Sequence, residues 1–581
     1  MNESRSKALV WGTWLAATLA ALALVWSCGP RFPYQDDFAL TTRLTGTQPF
    51  TWHWLWSGYN DHRFPLSMLV LLGVHGASGA DHRVALVLEV LMLAGLAALA
   101  LRTLRSVRGR TSPWDAALPL ACLHWGHWIN ILLAFQLWLV LSVAITGAFV
   151  ASFAARRGEL TLRAALLGSL GLASLPLLGG SGALSAPPLA LAALALAFAA
   201  RSRVAARATL ACGSLVALAL FVAYVSGFER TFNEQNDDRV SAQLLSFLRF
   251  SSLGAGPSYE AAWPVAAALS LALAAGCAAL NLRALRDRDS RPRAIALLGG
   301  LAVLTSLGLG IAWGRSAPGY EVGLEDRYVT LLLPLVLVVS LTTEIWLAER
   351  WRQPARVLLF VVAAAGAVNG YRKGLEGALD VRHHAQEVER AVASGASSRE
   401  IAEQMTPWMF PDAKELARLL ADLRRAGLPP FDRGAPGPEV DRKLPKFGSF
   451  SRQPDSGEPS QRIVARELDG REVAALNDPG ELRFELDGNQ RGLHVLCGFL
   501  EEARGRGDGL VFAVEWRPKS GAAPSVLFER ELAPPRDGEL PMLTVELDLP
   551  QEAGTLALVT RNATGRHARW DRAWWGELVL R

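Results

Sequence analysis

Apolar blocks of about 17–22 residues recur from residue 8 to residue 371, each long enough to cross the roughly 30 Å hydrocarbon core of a bilayer as a helix. They fall at about 8–26, 83–101, 113–129, 131–154, 163–178, 183–200, 207–226, 264–282, 294–313, 329–347 and 355–371, which predicts eleven spans. Past residue 372 the chain turns polar. "AQEVERAVASGASSREIAEQM" and "DAKELARLLADLRRAG" carry apolar residues at three- and four-residue spacing, so two amphipathic helices are expected over about 372–428. "PWMFPD" separates them, and Gly427 before Pro429 and Pro430 ends the second. Residues 429–459 are rich in Pro, Gly and Asp and read as a linker. From about 460 the period becomes two: "QRIVARE", "ELRFELDG", "GLHVLCGFL", "GLVFAVEWR", "SVLFEREL", "LTVELDL", "TLALVTR" and "WGELVL" predict eight short strands. The expected architecture is a polytopic α-helical membrane domain (1–371), a helical region (372–428), the linker, and an all-β sandwich of jelly-roll type (460–581).

The loops orient the spans. "LRTLRSVRGR", "AARRGELTLR", "ARSRVAARA", "NLRALRDRDSRPR" and "ERWRQPAR" are Arg-rich, and they alternate with acidic or mixed loops. By the positive-inside rule the N-terminus is cytoplasmic and the long polar C-terminal part, beyond residue 372, extracytoplasmic. "VWSC" before Gly29 resembles a lipoprotein cleavage box, but the preceding Trp and the length of the apolar run favour a retained first helix. Composition agrees with the pattern: 51% of the 581 residues are hydrophobic and only 19% charged. The net charge of +5 comes mainly from the Arg-rich loops, which are topology signals that meet lipid head groups, and no nucleic-acid signature accompanies them. Five scattered cysteines form neither a disulfide framework nor a metal motif. Arg replaces Lys throughout between Lys7 and Lys373, a compositional pointer to a GC-rich bacterial genome and so to a bacterial inner membrane.

The first outer loop, about 27–80, concentrates the candidate chemistry. It holds Asp36 and Asp37 in "RFPYQDDFAL", then "FTWHWLWSGYNDHRFP", then the short apolar run "LSMLVLLGVHGAS", which suits a helix lying in the interface. An Asp pair at a helix mouth is often only a cap. Here Asn60, Asp61, His62 and Arg63 share the loop, and a carboxylate, an imidazole and a guanidinium beside a membrane suit a general base and a phosphate clamp. Within the spans, Glu89 and Gln136 either line a substrate cavity or hydrogen-bond between helices. His124 and His127 stand at i, i+3 with no third ligand beside them in the sequence, too little for a metal site. Glu234, Asp237 and Asp238 supply acidic residues to the second outer loop.

These features together resemble the GT-C superfamily of membrane glycosyltransferases, which use polyprenyl-phosphate sugars. The resemblance covers about residues 1–430 and rests on five features: the acidic pair after the first helix, the "HR-x-P" element, Gly79 and Arg83 before the second span, "NILLAFQLWL" (130–139), and "GR…DRY" (Gly314, Arg315, Asp326, Arg327, Tyr328). It implies that Asp36 or Asp37 acts as the general base or as a ligand of a divalent cation (Mg or Mn). It also implies that Asp61, His62, Glu89 and Gln136 position donor or acceptor, and that Arg63, Arg315, Arg327 and Tyr328 bind the lipid phosphate. The sugar, a hexose or pentose, would pass with inversion to an extracytoplasmic glycan, lipid or protein. Relatives often carry Asp-Glu where this chain has Asp-Asp, which leaves the base and the cation open. The end of the chain, "NATGRHARWDRAWWGELVLR", resembles galactose-binding-like and carbohydrate-binding modules, with Trp570, Trp574 and Trp575 as candidate sugar platforms or core residues. Two rivals stand beside the enzyme: a transporter or flippase of lipid-linked glycans, which would need broken helices and several mid-membrane charges, and a non-catalytic scaffold displaying a sugar-binding module.

Overall fold

The protein is described from a computed structural model, which covers residues 2–581 apart from 61, 157–158, 200–201, 227, 229–238, 258–261, 317–322, 434–446, 459–462, 469–470, 477–479, 504–508, 521–522, 534, 536–538 and 563–572. The chain divides into two compact units, Met1–Gly437 and Pro438–Arg581.

Among the described residues of the first unit, nine helices are long and apolar enough to cross a membrane: Glu3–Cys28, Arg83–Arg108, Ala134–Ala154, Gly180–Ala199, Val204–Val225, Trp263–Ala284, Arg291–Arg315, Asp326–Trp346 and Glu349–Ala393. This is the layout of a multi-pass membrane protein. Two of the eleven expected spans take another form. Residues 113–136 are a broken segment: a 3-10 turn at Pro113–Ala116, helices Ala117–Leu123 and Trp128–Leu132, and 3-10 turns at Trp125–His127 and Ala134–Gln136. His124 and Leu133 are extended and interrupt the helix. The polar groups freed at these breaks find partners inside the bundle: His127 Nε2 lies 2.9 Å from the carbonyl of Ala121, and its Nδ1 2.8 Å from Thr330 Oγ1. Leu118, Leu123, Ile131 and Leu132 are buried, as irregular backbone at membrane depth requires. Hydropathy alone cannot separate such a buried broken segment from a span. Residues 162–177 form a 13-residue helix, Leu162–Ser174, closed by the turn Leu175–Leu177, with Pro176 at the break.

The last apolar block and the first amphipathic helix are one element of 45 residues, Glu349–Ala393 (the long helix), about 67 Å from end to end. Small residues let it lie close to the broken segment: a side chain at Gly374 would run into the carbonyl of Trp125, and one at Gly370 into the ring of His124. Two short helices follow as a cap. Ser398–Met405 opens on a capping box of Ser397 and Glu400, and Ala413–Arg425 opens on Asp412. Gly427, at φ +62°, follows the second of them.

Among its described residues the second unit holds ten antiparallel strands in two five-stranded sheets: β1 (Ser456–Glu458), β2 (Ile463–Leu468), β3 (Arg471–Leu476), β4 (Gly480–Leu486), β5 (Gly492–Phe499), β6 (Leu510–Pro518), β7 (Ser525–Leu532), β8 (Met542–Asp548), β9 (Gly554–Asn562) and β10 (Ala573–Leu580). The orders are β1-β4-β9-β6-β7 and β2-β3-β10-β5-β8. Phe484, Phe512 and Trp516 from one sheet and Val495, Val545 and Trp575 from the other share one core. β1 and β3 are additions to the eight expected strands. β1 is three residues long, and "REVAAL" of β3 lacks a clear alternation.

Candidate active site

The first span ends at Cys28, and the chain turns through Pro30 and Pro33 into a 3-10 turn, Gln35–Leu40 (the acidic turn). Gln35 holds a left-handed backbone at φ +50° and donates its N–H to the carbonyl of Met409 at 2.5 Å. Tyr34 stacks on Trp408 with centroids 5.3 Å apart, and Phe38 meets Phe410 edge-on at 5.8 Å. Phe32 and Phe38 are buried in the core of the cap with Ile401, Met405, Leu416 and Leu420. Arg31 bonds Asp432 at 2.5 Å. "PWMFPD", expected only to separate two helices, therefore seats the turn that carries the aspartates.

The two aspartates have different surroundings. Asp37 is 2% exposed, and its Oδ1 accepts the N–H of Phe135 at 2.7 Å. Burial pushes its carboxyl up to about 7, against weaker opposing effects from His75 and from backbone donors. Asp36 is only half-buried and accepts the hydroxyl of Tyr59 at 3.2 Å. Burial raises its pKa too, while Tyr59, Arg327 and Arg315 pull the other way. Tyr59 is fixed by a reciprocal pair of backbone bonds with His62, at 2.8 and 3.2 Å, and its ring lies 5.3 Å from that of Phe135. Burial and the carboxylate of Asp36 hold its hydroxyl proton on.

Of the residues proposed from the sequence, Asp36, Arg315, Arg327 and Tyr328 converge. Both arginines act electrostatically on Asp36 and on Tyr328. The guanidinium of Arg327 lies 5.1 Å from the Tyr328 ring, with a long 3.5 Å contact from Nη2 to its hydroxyl. Its Nε is buried with no hydrogen-bond partner among the described residues. Asn130 holds this strand of the site in place, donating to the carbonyl of Arg327 and to Thr330 Oγ1, both at 2.6 Å.

Other members lie elsewhere. His62 Nδ1 is 3.1 Å from the hydroxyl of Tyr224, and Arg63 donates to the carbonyls of Ala223 and Tyr224 in the last turn of Val204–Val225. Arg63, expected on the lipid phosphate, thus caps a helix end. Glu89 is fully buried in the second span, and Gln136 closes the broken segment with its Oε1 unpartnered among the described residues. Asp61, Glu234, Asp237, Asp238 and Trp570 lie outside the described residues. Trp575 is fully buried against Phe512, 5.6 Å away, and Trp574 is buried with Nε1 donating to the carbonyl of Phe499 at 3.2 Å. Neither offers a face to a sugar; both are core. Trp575→Ala is expected to destabilise the β unit by about 3–5 kcal/mol, read by chemical denaturation of the whole chain in detergent. A tryptophan used only for ligand stacking would leave that curve unmoved.

One oxygen of each carboxylate in the acidic pair already has a donor, from Tyr59 and from Phe135. Among the described residues no three His, Cys, Asp or Glu side chains lie where they could share an ion. Sequence reasoning missed Tyr59, His75, His82 and Trp408. One signal was available: "DHR" occurs twice, at 61–63 and at 81–83, on either side of the interfacial run. No protein-family model and no curated protein matches this chain.

Proposed function

We propose that this chain is an integral-membrane glycosyltransferase of the GT-C kind, which takes a sugar from a polyprenyl phosphate and passes it to an extracytoplasmic hydroxyl acceptor. The observation that carries the reading is a part-buried carboxylate, Asp36, within electrostatic reach of Arg327, whose Nε has no hydrogen-bond partner among the described residues. The orientation that goes with it has a cytoplasmic N-terminus and the β unit outside, and the Arg-rich loops support it.

The chemistry runs as one displacement. Asp36 accepts the proton of the acceptor hydroxyl as its oxygen attacks the anomeric carbon. The bond from that carbon to the phosphate oxygen breaks, and the electron pair leaves with the polyprenyl phosphate. Arg327, with Arg315, meets the charge that develops on the phosphate, where cationic donors stabilise the transition state most. Tyr59 orients Asp36 through the hydroxyl it donates. The broken segment and buried Glu89 are features the transporter reading also expects, but a carboxylate under the electrostatic influence of two arginines favours transfer.

Arg327→Gln tests this. Loss of a charge-assisted contact to phosphate is worth about 1.5–3 kcal/mol, so kcat/KM for the lipid donor should fall roughly 10- to 100-fold. A second effect has a definite sign. Arg327 favours the ionised form of Asp36, so its removal raises the carboxyl pKa further. The base works deprotonated, so the acidic limb of the rate profile should move to higher pH. An unchanged limb would separate Arg327 from Asp36.

A further inference from the structure

Behind the acidic turn lie four buried titratable side chains that the transfer step does not touch. Asp37, His75, His82 and Glu89 are each no more than 2% exposed. Asp37 Oδ2 stands 3.4 Å from His82 Nδ1, at a geometry that makes no hydrogen bond. The rings of His82 and His75 are 4.1 Å apart. Glu89 lies two turns along the second span from His82, on the same face of the helix. Both nitrogens of His75, both nitrogens of His82 and both oxygens of Glu89 are buried without a hydrogen-bond partner among the described residues. The turn Ala134–Gln136 packs against the acidic turn, the interfacial helix Pro65–Ser78 and the second span, and it adds the unpartnered Oε1 of Gln136.

Leaving each such group dry would cost about 1–3 kcal/mol, and a charged carboxylate more. Folds do not retain that many unpaired groups in one place without water to satisfy them. The other ionisable groups facing the cluster are Tyr34 just before the acidic turn, Asp36 on it, and Asp81 before the second span, where Arg31 and Arg83 hold it. Asp380 of the long helix acts on Tyr34.

We propose that Asp37, His75, His82 and Glu89 line a hydrated proton-binding chamber that takes up the proton Asp36 receives from the acceptor hydroxyl. This rests on the reading of Asp36 as the base. Protonated Asp36 returns to carboxylate by passing its proton through water to the carboxylate of Asp37, which holds it as the neutral acid beside the neutral imidazoles. The step is a net transfer of one proton with no change of oxidation state. The groups suit the task. Asp37, with its pKa about 7, can hold or release a proton near neutrality. Burial lowers both histidines to about 3, so they stay neutral, and a neutral imidazole donates through one nitrogen and accepts through the other.

The test uses the full chain in proteoliposomes. Infrared difference spectra across pH should show a protonated-carboxyl stretch that titrates near neutrality, shifts in D2O and disappears in Asp37→Asn. In transfer assays His82→Gln should lower kcat about tenfold or more with KM for the donor unchanged, and should alter the pH profile. Glu89→Gln keeps the shape of the side chain and repeats the kcat test where His82→Gln does not fold. Loss of the titrating band in none of the carboxyl variants, or wild-type kcat and pH profile in both His82→Gln and Glu89→Gln, overturns the chamber while leaving the transfer reading intact. A titrating, exchangeable Asp37 band in a protein that transfers no sugar overturns the transfer reading and the chamber's part in it, and the hydrated site stands.

Discussion

Asp36→Asn is expected to lower sugar transfer about 10²- to 10⁴-fold, with the amount of folded, membrane-inserted protein unchanged. The amide keeps the size of the side chain and can still accept the Tyr59 hydroxyl through its Oδ1, so the acidic turn keeps its seat on the cap. What it loses is the capacity to bind a proton. The same change at Asp37 should do less, because its Oδ1 already accepts the N–H of Phe135 and the residue is closed off from an acceptor. Measuring kcat for both variants, with insertion checked by protease protection, ranks the two carboxylates. Equal losses would return the question of the base to where the sequence left it.

An expected stability effect of the same size as that at Trp575 lies at the other end of the second span, about 39 Å from His82. There Arg108 is held by Asp115 through two bonds of 2.9 Å and by Glu344 through bonds of 2.9 and 3.0 Å. Glu344 also accepts Arg356 Nε at 2.6 Å and Nη2 at 2.8 Å. Two cations and two anions, nearly all out of solvent, tie together the second span, the start of the broken segment, Asp326–Trp346 and the long helix. Glu344→Ala leaves two arginines facing one carboxylate. Breaking a buried pair from one side costs about 3–5 kcal/mol, because an uncompensated charge stays behind. Equilibrium unfolding in mixed micelles should show that loss. A change below about 0.5 kcal/mol would mean that water or lipid head groups already screen the network.

The layers of the fold were legible because their periods differ: blocks of apolar residues, then spacing of three and four, then two. What stayed hidden was irregular backbone. Residues 113–129 have the hydropathy of a span, yet His124 and Leu133 are extended, and the polar atoms released there are satisfied by Thr330, 200 residues downstream of Asn130. Asp36, Arg315, Arg327 and Tyr328 could be proposed because each sits in a short polar stretch at a span end. Their meeting depends on how Arg291–Arg315 and Asp326–Trp346 pack, which no local pattern encodes. Trp408 and Met409 look like a spacer in the sequence; they become part of the site only because the long helix carries the cap back over the acidic turn. Trp574 and Trp575 misled in the opposite sense, since an aromatic pair in a terminal strand serves a sugar face or a core equally well until burial decides.

The most direct measurement takes the purified chain in proteoliposomes, offers it a panel of radiolabelled polyprenyl-phosphate hexoses and pentoses with a mixed glycan and lipid acceptor fraction, and follows label leaving the donor. Consumption of at least one donor by the wild-type protein, reduced at least about a hundredfold in Asp36→Asn, is the expected result. Equal consumption by both proteins, or none by either, would contradict it.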